Sequence, residues 1–154
     1  MQSAAGTMED WLPAATNTHQ DHVIAHVVGA TVLGYFVADE AAHFVLDIGF
    51  IWTVLLDGAM GLVPHSMALA ELNVPADVRA GLSADVAALY DEGPRAEVRH
   101  VTAAPDNCLL VAVEVYANAN GRRLLLQCEG ASLQVETALT NGEIAITPHP
   151  QGID

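Results

Sequence analysis

The chain contains no lysine. Its five basic residues are all arginines, none before Arg79, while Asp and Glu number 19 and give a formal net charge of −14. Nucleic acids and anionic membrane surfaces are both bound through clustered cations that displace counterions from phosphates. The missing lysine also excludes a Walker-type phosphate loop and a lysine Schiff base. We therefore expect neither nucleic acid nor membrane as a partner.

Cysteines and aromatic residues are also scarce. Cys108 and Cys128 are too few for a disulfide framework, and each lies in an apolar, strand-like run that is typical of a buried, unreactive thiol. Aromatic residues make up 5% of the chain, which is too few for a platform that stacks nucleobases. The first residues show neither the basic region nor the apolar run of a signal peptide, so we expect a cytoplasmic protein.

Apolar residues are abundant: they make up 52% of the chain, and its mean hydropathy is +0.32. The uncharged run at residues 23–38 is shorter than the roughly 20 residues that a membrane-spanning helix needs. The excess of apolar surface therefore predicts a subunit interface, most simply that of a homodimer. The composition favours an N-terminal arm at residues 1–17, which Trp11-Leu12-Pro13 could anchor, and a single domain over residues 18–154.

The first half of that domain is predicted to be rich in β-strands. A high density of β-branched residues favours a turn at residues 18–21 and then a long strand over 23–37. The alternative is a helix that begins with a capping box of Thr18 and Asp21. Continuous apolar runs predict two further strands, over 42–47 and 50–56, that are buried on both faces.

The rest of the chain is predicted to contain a helical segment and a second set of strands. Helical periodicity marks residues 64–92, with a possible break at Gly81 and Ser83. Alternating polarity then predicts strands near residues 109–115, 122–128, 133–137 and 144–147. The predicted fold class is α+β: two antiparallel β-rich halves, at about 22–57 and 97–147, surround a central helical segment at about 64–92 and form one sheet or an open barrel.

Five of the seven histidines occur among the first 65 residues, interspersed with carboxylates. Histidine and carboxylate together are the ligands of zinc and related metals. On a helix, His19, His22 and His26 would project within about 60° of one another. On a strand, His22 and His26 would lie about 13 Å apart and could not share a metal. Because the strand is favoured, the candidate metal ligands are drawn from separate strands, and they are His22, His26, His43 and Asp47. The alternative is a purely structural role for the histidines and for Asp47.

Three functions remain open. The leading prediction is a non-enzymatic cytoplasmic protein that acts through self-assembly, without a cofactor and with or without a small ligand. The second is a metal-dependent hydrolase that uses zinc or a similar ion at the histidine and carboxylate set. The third is a small-molecule binding module, whose pocket would be lined by Phe36, Phe44, Phe50 and Trp52. No motif in the chain identifies a catalytic mechanism.

Overall fold

The computed structural model describes residues 11–150, so most of the predicted arm lies outside the described residues. The first sheet has the strand order β1-β7-β8-β9-β10, and the second has the order β5-β4-β3-β2-β6; all pairings are antiparallel. The strands are β1 (Leu12–Pro13), β2 (Val32–Ala38), β3 (Ala41–Leu46), β4 (Phe50–Leu55), β5 (Met60–Pro64), β6 (Thr102–Ala103), β7 (Leu110–Ala117), β8 (Gly121–Cys128), β9 (Ala131–Ala138) and β10 (Ile144–Pro150). The helices are α1 (Thr18–Val27), α2 (His65–Ala70) and α3 (Ala76–Glu92), and a 3-10 turn (Gly93–Arg95) follows α3.

The second sheet is the middle layer of the molecule. One of its faces packs on the first sheet and on α1, with Phe44 and Trp52 fully buried there. The opposite face packs on α2 and α3, where Val45 and Ile51 meet Val86. Strands covered on both sides need no polar face, which explains the continuous apolar runs of this part of the sequence. The predicted burial of these strands on both faces is confirmed.

The α+β class and the central helical segment are confirmed, but the strands form two separate sheets that do not close into a barrel. Besides packing face to face, the two sheets are joined by backbone hydrogen bonds along a seam, where the chain enters β2 beside the start of β7. There the Leu110 N–H donates to the Ala30 carbonyl and the Val32 N–H donates to the Cys108 carbonyl, each at 2.9 Å. A bridge between Thr31 and Leu109 continues the seam.

The long strand predicted over residues 23–37 is wrong in its first part, because residues 18–27 form helix α1. The helix begins with a capping box at Asn17 and Gln20, one residue earlier than the box considered from the sequence. Val23 and Val27, four residues apart, bury one helical face in the core between the sheets. This burial and the capping outweigh the modest preference of β-branched residues for strands. Gly29, at a φ of 94°, then redirects the chain toward β2.

Two glycines make room for close packing on α3. A Cβ on Gly34 would lie 2.7 Å from the Leu89 side chain, so any larger residue in β2 would push α3 away. A Cβ on Gly81 would overlap the ring of His100, which lies against the helix at that point. The predicted break at Gly81 and Ser83 is wrong: α3 continues through both residues.

The residues before α1 attach to the first sheet. Leu12 and Pro13 pair with Ala117 and Tyr116 as strand β1, and the Arg123 guanidinium lies 4.5 Å from the ring centre of Trp11. The Trp11-Leu12-Pro13 segment therefore does contact the body of the protein, as the sequence suggested. Among residues 11–150, no helix is both long enough and apolar enough to cross a membrane.

Candidate functional site

Three of the five early histidines line a groove of about 410 Å³ beside α1. His19, His22 and His26 are exposed and form its polar rim, while its apolar wall comprises Val23, Ile48, Phe50 and Leu62. The helix is held in place here by side chains that reach β5 and the turn before it. The Nε2 atom of His19 lies 2.9 Å from the Met60 carbonyl oxygen, and the Gln20 amide donates to the Gly58 carbonyl at 3.1 Å.

His43 lies on the other side of the second sheet and is 3% exposed. Its Nε2–H donates to the Ala38 carbonyl at 2.9 Å, because a carbonyl can only accept. This tautomer leaves Nδ1 as the acceptor for the Thr53 hydroxyl, at 3.0 Å. The ring also stacks on Phe36, with 4.7 Å between ring centres. Burial lowers the pKa of His43, although the Ala38 carbonyl and Asp39 act in the opposite direction. Both ring nitrogens are used in holding the sheet together.

Asp47 belongs to the turn between β3 and β4. Its carboxylate accepts the Thr31 N–H at 2.9 Å, while its own N–H donates to the Thr31 carbonyl at 2.9 Å. The structure therefore brings His22 and His26 together on α1 but leaves His43 and Asp47 elsewhere. Within residues 11–150, no group of three or more His, Cys, Asp or Glu side chains is arranged to hold a metal.

His65, the fifth early histidine, packs at the start of α2 against Tyr90 of α3, with 5.1 Å between ring centres. The Tyr90 hydroxyl donates to the Leu46 carbonyl at 2.6 Å and so ties α3 to the end of β3. Burial, and then the charge of Asp47, raise the pKa of Tyr90 to about 12. The Tyr90 hydroxyl therefore stays protonated and can donate at neutral pH. We assign a structural role to the contact between His65 and Tyr90.

The four aromatic residues expected to line a ligand pocket do not share a cavity. Phe44 and Trp52 are fully buried between the sheets, with 5.4 Å between ring centres. Phe36 packs on the opposite face of the second sheet, beneath the helices. Only Phe50 reaches an open surface, in the groove beside α1.

Asp85 is a buried carboxylate that sequence reasoning missed. One of its oxygens accepts the backbone N–H groups of Arg99, His100 and Val101, at 2.9, 2.5 and 3.0 Å. Burial by itself raises the pKa of Asp85, but the three N–H donors and the nearby His100 together hold it below its ordinary value. A carboxylate that stabilises a loop in this way is a structural anion. The only signal in the sequence is an acidic residue among the apolar positions of α3.

Among residues 11–150, one face of the first sheet is covered by no other layer, although Trp11 lies against Arg123 at one end of it; we call this the outer face. Its charged groups are already partnered: Arg123 Nε donates to Glu136 at 2.9 Å, the Gln134 amide donates to the same carboxylate at 2.7 Å, and the Tyr116 hydroxyl donates to Glu114 at 2.7 Å. Strand register places these residues on it: Ala112, Glu114, Tyr116, Arg123, Leu125, Gln127, Ser132, Gln134, Glu136, Ala145, Thr147 and His149.

Strand β10 is an edge of this sheet, and prolines protect the edge. The Ala138 N–H donates to the Glu143 carbonyl, so alternate residues from Glu143 onward point their backbone groups toward β9. The backbone groups of the intervening residues consequently point toward the open edge, and these residues are Ile144, Ile146, Pro148 and Pro150. Proline has no N–H, so N–H donors along this edge are limited to the two isoleucines. Such an edge is poorly suited to pairing with another strand.

Comparison of the chain with protein-family models, curated proteins and solved structures finds no match. The site geometry and the charge distribution are therefore the basis for inferring a function.

Proposed function

We propose that this protein is non-enzymatic and works by assembling into a twofold homodimer through the outer face of the first sheet. One observation carries the proposal. The two strand carboxylates of the outer face, Glu114 and Glu136, each have a partner on the same face, the Tyr116 hydroxyl and the Arg123 guanidinium.

Electrostatics limit where two copies of such a chain can meet. Each copy carries excess negative charge, so association is favoured only where the local charge is small. On the outer face, the Arg123–Glu136 pair and the Tyr116–Glu114 hydrogen bond already satisfy the charged groups. Partnered groups lose less free energy than isolated charges when water leaves an interface. This pairing favours contact between copies at the outer face over contact at surfaces whose carboxylates are unpaired.

The outer face is also favoured over the sheet edge. An edge-to-edge dimer would need a row of free N–H donors on β10, and Pro148 and Pro150 interrupt that row. Two sheets can instead stack with about 10 Å between them and interdigitate their side chains. Four strands spaced about 4.8 Å apart, over three rows of side chains, give a footprint roughly 20 Å across. A footprint of this width covers less than the roughly 800 Å² per partner of a standard interface, so we expect a dimer of micromolar affinity.

We further propose that the dimer works in the cytoplasm. Support comes from composition: two cysteines, Cys108 and Cys128, do not make a disulfide framework, which is in keeping with a reducing compartment.

Light scattering coupled to gel filtration, from micromolar to hundred-micromolar protein, tests the proposal. The informative variant is Leu125→Glu, because Leu125 lies between Glu114 and Gln134 in the middle row of the outer face. The matched control is Leu55→Glu at the end of β4, where the same change is made at a leucine that is 44% exposed. Circular dichroism checks that both variants remain folded.

We expect the wild-type mass to rise toward that of a dimer with concentration, the Leu125→Glu variant to stay monomeric, and the control to follow the wild type. A wild-type chain that is monomeric throughout this range overturns the proposal. A folded Leu125→Glu variant that dimerises normally overturns the choice of face.

A further inference from the structure

We propose that His22 and His26 form a two-imidazole binding site for a divalent transition metal of the zinc, nickel and copper class. The two residues are four positions apart on α1, and both are exposed. This spacing places side chains one above the other on the same helical face, as in the paired histidines of helical zinc motifs. The site is separate from the outer face, so it does not depend on dimer formation.

The helix that presents the two histidines is held rigidly. Its first turn is closed by the capping box of Asn17 and Gln20, and Val23 and Val27 are buried in the core. The Gln20 amide further fixes the first turn to the Gly58 carbonyl. A preorganised pair of ligands loses little conformational entropy when a metal binds, so this pair should bind a metal more tightly than two mobile histidines would.

His19 is not a third ligand. Its Nε2 atom is occupied by the Met60 carbonyl oxygen, and the rise between residues 19 and 26 along the helix is about 10.5 Å. The site therefore offers two protein ligands, which agrees with the absence, among residues 11–150, of any metal-binding group of three. Water or an added ligand would fill the remaining coordination positions. The apolar wall of the adjoining groove, including Ile48 and Phe50, gives such a ligand a surface to contact.

The surrounding charge favours a cation of this class. Lysine and arginine are absent before Arg79, and the net charge of −14 raises the concentration of cations near the surface. Imidazole nitrogen suits zinc, nickel and copper, whereas magnesium and calcium prefer oxygen ligands. The site should therefore discriminate among divalent ions by ligand chemistry rather than by charge alone.

The test is calorimetric titration of untagged protein with Zn²⁺, Ni²⁺, Cu²⁺ and, as a negative control, Mg²⁺ at neutral pH. The variants are His22→Gln and His26→Gln, and the matched control is His149→Gln, an exposed histidine on the first sheet. We expect one transition-metal ion per chain in the wild type, a loss of affinity of about tenfold or more in either α1 variant, and no change in the control. Thermal melts should show a metal-dependent rise in melting temperature that either α1 variant removes, because a ligand that binds the folded state stabilises it.

Paramagnetic resonance of the copper complex gives an independent measurement. Hyperfine splitting should report two coupled imidazole nitrogens in the wild type and one in either α1 variant. The proposal is overturned if the wild type binds none of the three metals at hundred-micromolar concentration. It is equally overturned if the folded α1 variants bind as tightly as the wild type, or if His149→Gln reduces binding as much as they do.

Discussion

The Asp85 carboxylate provides the sharpest test of how the helical layer is held to the rest of the protein. Asp85→Asn keeps an oxygen that can accept the N–H groups of Arg99, His100 and Val101 but removes the charge. A hydrogen bond to a charged group contributes about 1.5–3 kcal/mol, whereas a neutral one contributes about 0.5–1.5 kcal/mol. The three bonds share one oxygen atom and are not additive. We therefore expect Asp85→Asn to lower the free energy of unfolding by about 2 kcal/mol.

Asp85→Ala should cost more, because it removes the acceptor altogether. Arg99 and His100 are exposed, so their N–H groups can turn to water, but Val101 is 4% exposed and its N–H would lose its partner. Leaving a buried donor unpaired adds roughly 1–3 kcal/mol, so we expect a total near 4 kcal/mol. Urea unfolding measures both values. Asp91→Asn, an exposed change near the C-terminal end of the same helix, serves as the control and should lie within about 0.5 kcal/mol of the wild type.

The pH dependence of the free energy of unfolding distinguishes the contribution of the Asp85 charge from that of the side chain's shape. The folded-state pKa of Asp85 lies below its ordinary value, which is about 3.9 in an unfolded chain. Its ionised form therefore contributes stability that is fully present above that pH and is lost as the pH falls through the folded-state pKa. The difference between wild type and Asp85→Asn should shrink below about pH 4. An Asn variant as stable as the wild type at pH 7, or a gap that persists into acid, would refute the reasoning.

Three further predictions concern the second sheet and the thiol pair. Glu40→Gly should raise the melting temperature by a few degrees. Asp39 and Glu40 both have positive φ (52° and 60°) in the turn after β2, and this conformation costs a non-glycine residue about 1 kcal/mol. A lower melting temperature would contradict this prediction. Cys108→Ser and Cys128→Ser should each cost about 1–3 kcal/mol in urea unfolding, because a hydroxyl replaces a buried thiol, and should leave dimerisation unchanged. His43 should stay neutral in an NMR titration a little below pH ~6.5, where a histidine of an unfolded chain becomes protonated. Its contribution to stability should be present above pH ~6.5 and be lost as the pH falls through its lowered folded-state pKa. A His43 that titrates like a histidine of the unfolded chain would disprove the burial argument.

The sequence predicted the parts of the fold that depend on periodicity. The alternating runs became β7 to β10, and the apolar runs after residue 40 became β3 and β4. It did not predict α1, although both signals for that helix are present: Asn17 with Gln20 at its start, and Gly29 after its end. The valines that follow have a strand preference, and only the packing of Val23 and Val27 between the sheets decides against it.

The candidate site was harder to predict, because it depends on where each element lies. Whether His22 and His26 meet is decided by the conformation of α1, and His43 is separated from them by the register of β3, which turns it toward the helices. Asp85 acts on a loop more than ten residues further along the chain, so no local pattern reveals its role. The pairing of charges on the outer face likewise appears only when the strands are aligned, since Arg123 and Glu136 become neighbours through pairing of β8 with β9.

The seam between the sheets has a consequence for how the chain folds. Strands β2 to β5 pair in sequence order, and so do β7 to β10, so each sheet can form largely from contacts that are local along the chain. The hydrogen bonds near Ala30 and Leu110 join segments that are far apart in sequence and carry a larger loop-closure entropy. We therefore expect two meanders that form quickly and a slower step in which they dock, with the seam absent from the early structure. A destabilising change at the seam should then mainly speed unfolding if the meanders, and not their docking, make up the folding nucleus.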